Sequence, residues 1–116
     1  MLLLKTNSMT ELTKKKCVPC EGGMPPMSDI EAEKMLKELN NWKIHSAKLV
    51  KEYNFSDFKE AIKFVNKVAD IAESEGHHPD ITVNYNKVKL ELITHAVGGL
   101  SENDFILAAK IDEISQ

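Results

Sequence analysis

Apolar residues Ala32, Met35, Leu36 and Leu39 fall at spacings of three and four, which predicts a helix with one buried face. Ser28 followed by Glu31 is a capping box that sets its start, and Asn40-Asn41 sets its end. From Trp42 to Phe55 the period drops to two. Trp42 and Ile44, then Leu49, Tyr53 and Phe55, alternate with polar neighbours, and Lys51 is the exception. A fold-back around Ser46-Ala47 makes this run two antiparallel strands. Helical spacing returns after Ser56 or Asp57, either of which can cap. Phe58, Ala61, Ile62, Val65, Val68, Ala69 and Ala72 form one stripe, while Phe64 and Ile71 lie off it. A helix apolar on two sides is expected to pack against its own sheet and against another subunit. Gly76 is its predicted stop, because glycine takes the left-handed conformation without steric penalty.

Alternation resumes at Ile81, Val83 and Tyr85, turns at Asn86-Lys87, and continues through Val88, Leu90 and Leu92. By parity His95 lies on the Lys89/Glu91 side of this second hairpin. Gly98-Gly99 permits a sharp turn into Ser101-Glu-Asn-Asp104, a second capping-box spacing. The helix it opens offers Phe105, Ala108, Ile111 and Ile114 for burial. The order α-β-β-α-β-β-α predicts an α+β fold, a four-stranded antiparallel sheet with three helices on one face.

Composition narrows the function classes more than the fold. At 116 residues, 42% hydrophobic and 28% charged, the chain has the makeup of a soluble single domain with a core that needs no staple. Its net charge of -3 gives no general attraction to nucleic acid or an anionic membrane. All 15 basic residues are lysine, so the bidentate forks with which arginine clamps phosphates are absent. The apolar run Met1-Leu-Leu-Leu4 is too short for a signal peptide or membrane span, which makes the cytoplasm the expected compartment. Residues 1–27 carry Lys14-Lys15-Lys16, Gly22-Gly23 and Pro25-Pro26 without a sustained period. They read as a flexible arm, loose or laid over the surface, ahead of a single domain at 28–116. Cys17 and Cys20 have the spacing of a redox pair or half a zinc site. No second half follows and no thioredoxin-like context surrounds them, so a reduced pair is expected.

The candidate chemistry gathers between Glu73 and Asp104, which holds His77, His78 and His95, three of the four histidines. Imidazole titrates near neutral pH and can both give and take protons. Adjacent side chains on extended backbone point apart, so His77 and His78 are expected to play different roles. His77 has a plainer reading as a cation at a helix C-terminus, and Asp104 as a cap only. Asp104 could equally hold an imidazole in one tautomer. Three histidines and an aspartate could also bind zinc or iron, but no His-x-x-x-His lies on a helix and consecutive histidines chelate one ion awkwardly.

Glu73-x-x-x-His77-His78-Pro79, Tyr85, His95 and Asp104 in this order resemble the signature of the pterin-4a-carbinolamine dehydratase family. Asn41-Trp42, Thr94-His95, Gly99-Leu-Ser101-Glu102 and the arm's Cys17-Val-Pro-Cys20 are similar to it as well. The resemblance implies dehydration of 4a-hydroxytetrahydrobiopterin or a related pterin to the quinonoid dihydropterin, recycling the cofactor of aromatic amino-acid hydroxylases. It implies His77 and His95 as acid and base, His78 as the residue orienting the pterin, Asp104 as support for His95, and Glu73 and Trp42 as residues near the substrate. No cofactor or metal is implied. Family members form dimers or tetramers, a hydroxylase is a potential partner, and animal members also act as dimerisation cofactors of a transcription factor. A protein-binding module is therefore the rival reading. Ala96-Val97 departs from the Glu-Cys pair of animal members at the rim of the site.

Overall fold

A computed structural model describes residues 11–18 and 24–115 of the 116. Cys20 and the opening apolar run lie outside the described residues. The elements are α1 (Asp29–Leu36), β1 (Lys43–His45), β2 (Lys48–Asn54), α2 (Phe58–Glu75), β3 (Asp80–Asn84), β4 (Lys87–Leu92), a 3-10 turn (His95–Val97) and α3 (Glu102–Ile114). The strands form one antiparallel sheet in the order β1-β2-β4-β3. The fold is α+β, as the patterning predicts.

Register explains what faces inward. Leu49 pairs with Leu92, Lys51 with Leu90 and Tyr53 with Val88, so these residues share the face against the helices. Leu49, Val88, Leu90 and Leu92 are fully buried there together with Phe105, Leu107 and Ile111 of α3. α3 is buried almost all round, Ile106 and Ala109 included, which marks it as the central helix rather than an amphipathic cover. Lys51 breaks the alternation without leaving the inner face. Its Nζ lies 3.0 Å from Asp112 Oδ1 and donates to the Asn40 carbonyl at 2.8 Å. Asp112, also fully buried, accepts the Trp42 indole N–H at 2.9 Å and the Asn40 N–H at 3.1 Å.

Local details depart from the pattern in four places. α1 stops at Leu36 rather than at Asn40, because residues 37–39 tighten into hydrogen bonds three residues back. The first hairpin turns on Ser46 (φ 52°) and Ala47 (φ 62°), the two positive dihedrals that a two-residue turn of this hand demands. The second turns on Tyr85-Asn86 rather than Asn86-Lys87. Tyr85 takes φ 53°, and Asn86 is bonded to Phe55 through both its carbonyl and its side chain. α2 is apolar on two faces, and the core takes part of the predicted stripe together with Phe64, which lies off it. Ala61, Phe64, Val68 and Ala72 enter the core, with Phe64 against the Tyr53 and Phe55 rings at 4.5 and 5.2 Å. Phe58 and Ala69 point outward.

The described part of the arm does not stand free. Residues 11–14 are helical, and Leu12, only 3% exposed, joins the core. The Met27 N–H donates to the Leu100 carbonyl at 2.7 Å, and Pro26 packs so closely on Gly99 that a Cβ there would sit 2.8 Å from the proline ring.

Candidate active site

The site is built where the end of α2 meets the start of α3. Asp57 caps α2 at one end, and Gly76, at φ 66°, ends it at the other. This turns His77 towards the first turn of α3. There His77 Nε2 lies 2.6 Å from Asp104 Oδ1. Asp104 is fully buried, and its other oxygen accepts the Ser101 N–H at 2.9 Å and the Thr94 hydroxyl at 2.8 Å. The carboxylate therefore closes the capping box and holds a histidine at the same time.

The adjacent ring diverges, as extended backbone requires. His78 Nε2 lies 2.7 Å from Glu73 Oε2, and both side chains are exposed. His95 opens the 3-10 turn, which Gly98 ends at φ 71°, and is exposed while its neighbour Thr94 is buried. His77, His78, His95 and Thr94 line one open cavity of about 300 Å³, shared with Asn103 and Val18. That volume is at the lower end of the roughly 300–1,000 Å³ typical of ligand sites.

A carboxylate can only accept, so an ionised Asp104 requires the proton on Nε2 and leaves the Nδ1 lone pair of His77 for another group. If the ring takes a second proton there, Asp104 faces the resulting charge at hydrogen-bond distance. Beside this pair lies Glu75. Burial alone would raise its carboxyl, but hydrogen bonds from Lys110 and the Cys17 N–H, with the Lys110 charge, hold it below the usual carboxylate range. Burial and then the Glu75 charge push the Cys17 thiol up to about 12. It remains protonated at neutral pH and is no nucleophile there. Among the described residues, no three His, Cys, Asp or Glu side chains converge as metal ligands would.

A family model described as pterin 4 alpha carbinolamine dehydratase matches residues 25–114. The chain belongs to the pterin-4a-carbinolamine dehydratase family. A relative from Nitrosospira multiformis is 49% identical over 94% of this chain and 96% of its own length. Another, from Rickettsia bellii, is 52% identical over 87% of this chain and 91% of its own. Both carry the dehydratase name as a provisional assignment. A solved Brucella melitensis structure, titled a transcriptional coactivator/pterin dehydratase, superposes with TM-score 0.75 at 29% identity, covering 78% of this chain and 99% of that one. A pterin dehydratase-like protein identified as a RuBisCO assembly factor shares the fold at TM-score 0.56 and 23% identity.

Measured against the family signature, the geometry redistributes two roles. Asp104 was expected behind His95 and instead holds His77, because the Gly76 turn brings that ring onto the first turn of α3 while His95 faces solvent. Trp42 was expected near the substrate but is not in the cavity wall. Its indole is spent on Asp112, two helical turns along α3 from Asp104. Glu73 reaches the site only through His78. Patterning missed Thr94, Asn103 and Val18. Thr94 left a readable trace, since it continues the inward parity of Leu90 and Leu92, and a hydroxyl on a buried face demands a partner. No such trace marked Asn103 or Val18.

Proposed function

We propose that this protein removes water from a 4a-hydroxytetrahydropterin, 4a-hydroxytetrahydrobiopterin or a near relative, to give the quinonoid dihydropterin. The observation that carries the reading is the convergence of His77, His78 and His95 on one cavity, with the buried Asp104 carboxylate behind His77. The reaction needs one proton delivered to the 4a-oxygen so that it leaves as water, and one removed from N5 so that the C4a=N5 double bond forms. Nδ1 of His77 is the base for N5, because Asp104 fixes the opposite nitrogen as the protonated one and faces the charge created. His95, as imidazolium, gives its proton to the departing hydroxyl. The two transfers cancel, so water and the dihydropterin are the only products. His78, steadied by Glu73, orients the ring. Each positioned transfer is expected to contribute about 10²- to 10⁴-fold.

Self-association accompanies this reading. Phe58, Ile62 and Ala69 recur at helical spacing on the face of α2 turned away from the core, and Phe58 is 51% exposed. Light scattering tests it, with a monomer at micromolar concentration as the contrary result. Binding to a regulatory protein is the second reading, favoured by the double title of the Brucella relative. The two are separated by following loss of the 4a-hydroxypterin with wild type, His77→Ala and His95→Ala. Rates equal to the spontaneous reaction in all three leave only the binding role. No described helix is long and apolar enough to cross a membrane.

A further inference from the structure

Residues 17 and 18 precede the span matched by the family model, 25–114, yet Val18 forms part of the wall of the histidine cavity. The Asn103 side chain grips its backbone at both ends. The Val18 N–H donates to Asn103 Oδ1 at 3.0 Å, and the Val18 carbonyl accepts from Asn103 Nδ2 at 2.6 Å. Cys17 is held alongside, its N–H donating to Glu75 Oε1 at 2.9 Å and its thiol to the Asn103 carbonyl at 3.5 Å. Lys110 fixes Glu75 in turn, and both Glu75 and Lys110 are largely buried. Asn103 is the neighbour of Asp104, and Glu75 stands two residues before His77. The helix ends that set the reacting groups therefore also set the arm.

This anchorage presents an apolar side chain that is 62% exposed in the wall of a cavity whose imidazoles, hydroxyl and amide are otherwise accompanied only by the apolar groups of Ile93 and Ala96 and by Gly76. We infer that Val18 is a substrate-binding residue, with its isopropyl group covering an apolar face of the bound pterin bicycle. The inference rests on the dehydratase reading for the identity of the ligand, and on the Asn103 clamp for the geometry. A contact of this kind is made equally in the ground state and the transition state, so it tightens binding without accelerating the chemistry.

The test compares wild type, Val18→Ala and Val18→Ile in steady-state dehydration of the 4a-hydroxypterin, and in equilibrium binding of a stable 7,8-dihydropterin followed by its fluorescence. Loss of an apolar contact of this size is expected to raise KM and weaken dihydropterin binding by about tenfold in Val18→Ala. kcat should stay within about twofold, and Val18→Ile should remain close to wild type in both readouts. Because Val18 is exposed, the melting temperature should not move. Unchanged KM and unchanged dihydropterin affinity in Val18→Ala overturn the inference, as does a fall in kcat at constant KM. A wild type that binds the dihydropterin but does not dehydrate the substrate overturns the catalytic proposal and leaves Val18 to be judged on binding. A wild type that binds no pterin overturns both.

Discussion

α3 carries two fully buried aspartates that the fold uses in opposite ways. Asp112, near its end, meets an indole N–H, a backbone N–H and the Lys51 ammonium, all enclosed by the sheet. Asp104, in its first turn, meets a backbone N–H, a hydroxyl and an imidazole that opens on a cavity. The burial and the number of hydrogen bonds are alike. Lysine and indole offer no exchangeable role at neutral pH, whereas histidine does, so only the Asp104 cluster can pass a proton onward. A buried carboxylate therefore marks a reactive site only through the chemistry of what it holds.

The sharpest way to break this contrast is one isosteric change in each cluster. Asp104→Asn removes the negative charge facing His77, and kcat should fall by about 10²- to 10⁴-fold in the dehydration assay, with the helix still capped by the amide oxygen. An Asp104→Asn enzyme with wild-type kcat would make Asp104 as structural as Asp112. Asp112→Ala strands the Lys51 ammonium, whose side chain is only 12% exposed, and should lower stability by about 3–5 kcal/mol in urea unfolding. Turnover per folded molecule should not change.

Glu75 is a third paired carboxylate and sharpens the comparison through pH. Its folded pKa lies below its ordinary value of 4.5. The stability it supplies is thus fully present above pH 4.5 and is lost as pH falls from there through the lower folded value. Glu75→Gln should be less stable than wild type by about 1–3 kcal/mol at pH 7, and the gap should close on acidification when unfolding is measured across that range. A gap that persists at low pH would mean that packing, not charge, does the holding. The smallest effect calibrates the others. Ala47→Gly relieves a left-handed residue in the first hairpin and should add about 0.5–1 kcal/mol, read as a rise in melting temperature with no change in activity.

The division between these clusters also limits what sequence could reveal. The N-cap at Ser28, the capping box at Ser101, the Gly76 stop and the strand alternation are local events, decided by residues within a few positions of one another, and they were legible. So was the gathering of chemistry between Glu73 and Asp104, since its residue types stand in a recognisable order. Which imidazole Asp104 would hold was not legible, because this depends on how the exit from α2 is aimed across 27 residues of chain at another helix. The same holds for Trp42 and Lys51. Both have a local pattern, but their polar atoms are satisfied by Asp112, about 60 to 70 positions away. For α2, spacing showed two apolar faces, and only the Tyr53-Phe55-Phe64 ring cluster decided which one enters the core.

Under the proposed dehydration, one carboxylate that both starts α3 and steadies His77 binds assembly to activity. A newly made chain in which that first turn has not formed is also one in which His77 has nothing to lean on, so competence appears together with the last helix and not before it. Mutational drift at position 104 is constrained for the same reason. A replacement that cannot accept hydrogen bonds loosens the helix start as well as the hold on His77, which leaves the isosteric amide as the route by which this scaffold could shed its reaction and keep its helix.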